Sequence, residues 1–337
     1  MFNVFNKIIF SIAFLGGVIT APATAADKDK IADSTVKSAQ GVLWVDPGDI
    51  QSRDLFYGPG GKEHAPSGTS FSFVGEDLDG SNPKYDVKDQ DGVKWKIKLG
   101  AEARPETAAT RLVWAAGYFV NEDYFLPDLH VTDLPHVHRG GSMIGPGGEM
   151  KDARLKRHLK GEDKVGEWRW RDDPFAHTRE WNGLRVMMAL INNWDLKDNN
   201  NAIYDEKSQR FYVVKDLGAS FGTTGYNFMQ NISKGNLNEY EHSHFILKKT
   251  SEYVDFACPS RPMLFVFFNP PEFFPRMHMR WIGKRVPRSD ARWMGQLLTK
   301  LSPAQIRDAF RAAGYTPAEI EGYAKVVEKR IGELAAL

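Results

Sequence analysis

Residues Val93-Lys-Trp-Lys-Ile-Lys-Leu99 alternate without exception between an apolar side chain and a lysine. In an extended chain successive side chains point to opposite faces, so Val93, Trp95, Ile97 and Leu99 share one face and Lys94, Lys96 and Lys98 the other. A segment of this kind has to bury one side of a sheet and leave the other to water or to countercharge. Asp91-Gly92 just before it is a hairpin-turn pair, and Lys84–Lys88 and Ser70–Val74 read as two further strands joined by a turn over Asp77–Pro83. Gly100 ends the third strand. Pro105 then sits in the first turn of a helix predicted from Glu106 to about Tyr118, with Leu112, Val113 and Ala116 available for its buried face. The order is three antiparallel strands and then a helix.

The second half places polar chemistry at the ends of similar elements. Leu184, Met187, Met188 and Ile191 recur at helical spacing and predict a helix over Phe175–Asn193. That helix feeds directly into Asp195-Leu-Lys-Asp-Asn-Asn200. A hairpin of Ala202–Tyr204 and Phe211–Val214 then delivers Lys215-Asp216-Leu-Gly218. Phosphoryl transfer to a hydroxyl needs a carboxylate to orient the acceptor and take its proton. It also needs an amide and a second carboxylate to hold magnesium against the phosphates. Asp195, Asn200 and Asp216 offer that set, with Asp216 falling 21 residues after Asp195. Upstream, Lys98 and Glu106 are placed to form an ion pair, and Lys96, on the same strand face, is the alternative lysine.

At Asp195–Asn200 and Asp216 the chain resembles the atypical protein-kinase-like superfamily, in particular the HipA-type serine/threonine kinases and the phosphatidylinositol 3/4-kinase group. Glu106-Thr-Ala-Ala-Thr-Arg-Leu-Val-Trp-Ala-Ala-Gly117 is similar to the glutamate-bearing helix of HipA-type proteins. The resemblance covers residues 70–222. It implies an α+β, two-lobed protein-kinase-like fold, with a small antiparallel-sheet N-lobe over 69–170 and a mostly helical C-lobe over 171–337. It implies ATP and Mg2+ as cofactors and an unidentified hydroxyl-bearing acceptor. In that reading Lys98 holds the α- and β-phosphates and Glu106 orients it, Asp195 is the acceptor-side base, Lys197 lies near the transferred group, and Asn200 and Asp216 ligate the metal. Asn199 and Asn201 are alternatives to Asn200. Two departures stand out. The Asp77–Pro83 turn lacks the G-x-G-x-x-G pattern, so phosphate contact there falls to Gly80, Ser81 and backbone amides. No A-P-E-like segment follows Asp-Leu-Gly.

The remaining signals bound the setting. Lys7, the apolar stretch Ile8–Ile19 and the small residues up to Ala25 read as a secretory signal peptide over 1–25, too short for a membrane span and leaving none after cleavage. The expected location is periplasmic or secreted. Residues 26–68 read as an extended leader with one short element near Val42–Val45 and a Gly58–Gly61 turn. A single cysteine, Cys258, excludes an intramolecular disulfide. Net charge is +1, which gives no global case for nucleic acid or an anionic membrane. His136/His138 and His242/His244 each put two imidazoles on one side of a strand, a spacing that suits zinc if other ligands arrive, with hydrogen-bonded surface histidines the plainer reading. Ser302-Pro303 and Thr316-Pro-Ala-Glu319 mark helix starts. Three functions compete: a Mg-ATP phosphotransferase, a catalytically inactive kinase-fold scaffold, and an AMP-transferring enzyme on the same fold.

Overall fold

The computed structural model of the chain describes residues 40–337 apart from 81, 160–162, 207, 224–233, 259–264 and 269. The expected signal peptide and residues 26–39 lie outside the described residues. From residue 40 on, the expected leader is part of the folded body. Strand β1 (Gln40–Val42) pairs in parallel with a strand from the second half of the chain, and Leu43, Ile50 and Leu55 are buried in the larger core. The Gly58–Gly61 segment is a turn, with the Gly61 amide donating to the Gly58 carbonyl at 3.0 Å.

Strands β2 (Ser70–Asp77), β3 (Lys84–Lys88) and β4 (Lys94–Lys98) form the expected antiparallel run. The alternation resolves as its pattern requires: Tyr85, Val87, Trp95 and Ile97 are sealed inside, and the lysines stand on the outer face. Helix α1 (Ala103–Ala115) begins three residues before the expected start. After a two-residue strand, β5 (Phe119–Val120), come β6 (Asp123–Thr132) and β7 (Glu149–Arg157). The small sheet does not stay open or purely antiparallel. β2 pairs in parallel with β6, closing a barrel in the order β2-β3-β4-β7-β6. Closure wraps the apolar faces round Trp95, Tyr124 and Leu155 and removes free edges.

Strand β8 (Asp163–Gly166) pairs with β9 (Asn201–Glu206), which forms the expected hairpin with β10 (Gln209–Val214); β1 and β5 add to β10. The second lobe therefore draws in strands from before residue 171. Between β8 and β9 runs α2 (Arg179–Leu190), shorter than predicted but buried through its whole middle. Then follow α3 (Leu237–His242), β11 (Ile246–Lys249), β12 (Tyr253–Phe256), α4 (Phe265–Phe268), α5 (Pro270–His278), β13 (Val286–Pro287), α6 (Arg288–Leu298), α7 (Pro303–Arg311) and α8 (Pro317–Ala335). The lobe is mostly helical, with β11-β12-β13 as an added sheet. The whole is the expected α+β arrangement, a small barrel with α1 against it followed by a mostly helical part.

Neither histidine pair lies on a strand. His136 and His138 are in a loop, where the His138 ring meets Glu76, and the His242 ring bonds its own helix backbone at Asn238. Among the described residues no histidine joins a metal-type cluster. Burial pushes the Cys258 thiol up to about 12, the behaviour of an inert buried thiol. No helix among the described residues is long and apolar enough to cross a membrane.

Candidate active site

Two backbone devices bring the polar segments together. Gly100, at φ +96°, turns the chain out of β4 so that its carbonyl accepts the Ala103 amide and α1 starts at once. This puts Glu102 and Glu106 one turn apart, beneath Lys98. In the other lobe, Asn192 takes the left-handed conformation (φ 53°) that ends α2, and the Asn193 side chain accepts the Asp195 amide at 3.0 Å. Asp195 thus begins a loop fixed to the end of a buried helix.

Lys98 is the convergence point. Its ammonium lies 2.8 Å from Glu102 Oε2, 2.8 Å from Glu106 Oε2 and 3.3 Å from Asp216 Oδ1. The oxygens of those three carboxylates lie within 4.8 Å of one another, a spacing that suits a cation, and the Lys98 ammonium is the cation they hold. Lys96, the alternative, is turned to Asp77 at 2.6 Å and Asp86 at 3.5 Å. Glu106 is held from its other side by Arg154 at 2.8 Å, and Arg154 stands 3.6 Å from Asp123. Glu102 also accepts from Lys234 of the second lobe. The lobes are therefore bridged twice, by Lys98–Asp216 and Glu102–Lys234.

The electrostatics follow from this sharing. Burial works against the charge on Lys98, but Asp216, Glu106 and Glu102 together raise its pKa. Burial also works against ionised Glu102, yet the paired Lys98 and Lys234 hold it below the usual carboxylate range. Glu106 goes the other way: burial pushes it up to about 7 against the pull of Arg154 and Lys98, with Asp216 and Asp123 adding repulsion. Two glutamates share one ammonium, and the one with its own second lysine keeps its charge more firmly.

Asp195, Asn200 and Asp216 line one cleft of about 260 Å³ with Lys98, Lys197 and Gly80. The Asn200 amide donates to the Asp195 carbonyl at 2.6 Å, which leaves its oxygen for a ligand. Asp216 is the most open of the three acids on Lys98. An amide oxygen and a carboxylate are hard donors of the kind magnesium prefers, so this pair fits the ion that the sequence resemblance implies. Lys197 stands 3.3 Å from Asp195 Oδ2, and Arg276 of α5 stands 3.5 Å from Oδ1 while its guanidinium covers Trp194 at 4.6 Å. Gly218 has a steric reason: a Cβ there would stand 2.7 Å from Glu102 Cβ, so only glycine lets the Asp216 loop lie against the start of α1.

Of the predicted residues, Lys98, Glu106, Asp195, Lys197, Asn200, Asp216 and Gly80 come together; Ser81 lies outside the described residues. Asn199 also lines the cleft, whereas Asn201 is buried and donates to the Trp168 carbonyl. Sequence reasoning missed Glu102, Arg154, Lys234 and Arg276. Glu102 had a usable signal, its four-residue spacing from Lys98. It missed Arg139 too, whose guanidinium binds the carbonyls of Asp77 and Gly80 and so holds the turn over the cleft.

No family model and no curated protein matches the chain. Solved structures similar to it include the Helicobacter pylori proinflammatory kinase CtkA, at 9% identity and a TM-score of 0.46, over 79% of this chain and 96% of that one. Others are the Golgi casein kinase with Mn and ADP bound, at 8% identity and a TM-score of 0.40 over 80% and 71%, and a second structure of the Golgi casein kinase, at 9% and 0.30 over 78% and 73%.

Proposed function

We propose that the protein is a Mg-ATP-dependent phosphotransferase of the atypical, HipA- or phosphatidylinositol-kinase-like type, acting on a hydroxyl group outside the cytoplasm. One observation carries the reading: Lys98, paired to Glu106 from its own lobe, reaches Asp216 of the other lobe in the cleft that Asp195 and Asn200 line. A scaffold has no physical need to bury a lysine among three carboxylates in order to face an open acid.

In this reading Lys98 is held extended by Glu106 and presents its ammonium to the phosphates. Bound Mg-ATP supplies the phosphoryl group and the charge neutralisation its transfer needs. Asn200 and Asp216 would hold the metal through their oxygens. Asp195 orients the acceptor hydroxyl and takes its proton, while Lys197 and Arg276 fix the carboxylate from either side. Export rests on the signal-peptide pattern before Ala25.

The test is ATP turnover by the mature protein with magnesium, beside Asp216→Ala. Loss of about 10²–10³-fold is expected in the variant, as for removal of a group acting at the developing charge. Equal, negligible turnover in both proteins would sink the reading. A nucleotide-sized mass added to product would instead assign AMP transfer.

A further inference from the structure

The cleft that holds the candidate catalytic groups is small and lined by charged and amide side chains with one glycine. At about 260 Å³ it falls below the range of about 300–1,000 Å³ usual for pockets that enclose a whole cofactor-sized ligand. Among the described residues, no apolar side chain lines it. An aromatic base gains its binding energy from flat apolar contact, and none of the described residues that line the cleft provides an apolar side chain for it.

The ceiling is set by strand register. Lys84, Lys98 and Arg154 form one row across β3, β4 and β7, and Asp86, Lys96 and Lys156 the next, all on the outer barrel face. Every position in those two rows is charged. The floor has the small apolar residues Ala202 and Val213, paired across the β9–β10 hairpin, but they are 0% and 7% exposed and offer no open face. Lys156 spans from ceiling to floor, its ammonium 3.4 Å from the Tyr204 hydroxyl and 5.7 Å over that ring. Beside it, Glu167 stands 3.1 Å from the Lys164 ammonium and 3.7 Å from that of Lys215. The space where a base would slide between the lobes is bolted by charged side chains, while the phosphate end stays open.

We propose that the cleft selects its donor by the phosphate chain and not by the base, so that a base-free triphosphate is held as well as a nucleoside triphosphate. The proposal rests on the phosphotransferase reading above and adds the class of donor. Lys84, Lys98 and Lys197 supply the cationic contacts at the open end, with Lys234 at the margin.

Calorimetric titration of the mature protein with the magnesium salts of ATP, GTP, UTP and tripolyphosphate decides it. The four are expected to bind within about threefold of one another. ATP binding more than tenfold tighter than tripolyphosphate would overturn the proposal and leave the phosphotransferase reading intact. No binding by any of them, to protein that still unfolds cooperatively, would overturn both. Lys156→Ala is the second arm. With the bolt removed, ATP is expected to gain about tenfold over tripolyphosphate, and an unchanged ratio would show that the side chain does not block the base.

Discussion

Single residues in this protein carry consequences out of proportion to their size. Gly218 is one: alanine there drives a methyl into Glu102, and overpacking of this kind costs about 1–3 kcal/mol. Gly218→Ala is expected to lower the unfolding free energy by that amount, read by urea unfolding, and to displace Asp216, so turnover falls with stability. Asp173 is another. It is buried, its Oδ1 accepts the Phe175 amide at 2.7 Å, and its Oδ2 has no hydrogen-bond partner among the described residues. Burial pushes its carboxyl up to about 6, against the Phe175 amide. A folded pKa above the unfolded value of 3.8 means the folded state binds more protons between the two, so stability falls as pH rises through that window. Asp173→Asn keeps the amide bond and removes the charge. It is expected to stabilise the protein by about 1–3 kcal/mol at pH 7 and by little at pH 3, read by urea unfolding at both pH values. Nothing in the sequence around Asp173 announces this, because the cost comes from what covers it.

Elements were more legible than residues, for reasons that differ from one to the next. The strands β3 and β4 were readable because alternation is a local property that burial of one face enforces. The starts of α7 and α8 were readable because capping is local too: Ser302 and Thr316 each form a capping box, with Gln305 and Glu319, ahead of a proline. Ser302→Ala is expected to cost about 1 kcal/mol, measured as a shift in the thermal midpoint with turnover per folded molecule unchanged. Helix α1 was harder. Its Thr107, Ala108, Ala109 and Thr110 are all buried, because small side chains let it sink between the barrel and α7, so it shows no clean amphipathic stripe to fix its start. The pairing of β6 with β7 spans a long loop, and sequence patterns do not encode partners.

At the scale of the whole molecule, two ion pairs between buried or half-buried groups tie the lobes across the cleft. Glu102 takes part in one and shares Lys98 with the other. Its folded pKa lies below the unfolded value of 4.5, so the stability it contributes is fully present above that pH and is lost as pH falls beneath it. Glu102→Gln is expected to open the cleft, seen as a larger radius of gyration in small-angle scattering at pH 7. It is also expected to flatten the loss of stability below pH 4.5; an unchanged acid profile would show that the bridge does not hold the lobes. The sequence by itself determined strands β2–β4, the β9–β10 hairpin, α2, the starts of α7 and α8, and the candidates Lys98, Glu106, Asp195, Asn200 and Asp216, because periodicity, capping and turn chemistry act within a few residues. Only the tertiary structure decided that Lys98 and not Lys96 faces Glu106, that Glu102, Arg154, Lys234 and Arg276 enclose the site, and that the sheet closes on itself. Those outcomes depend on which distant segments share one buried volume, and burial sets both the strength of each charge pair and the cost of leaving one unmade.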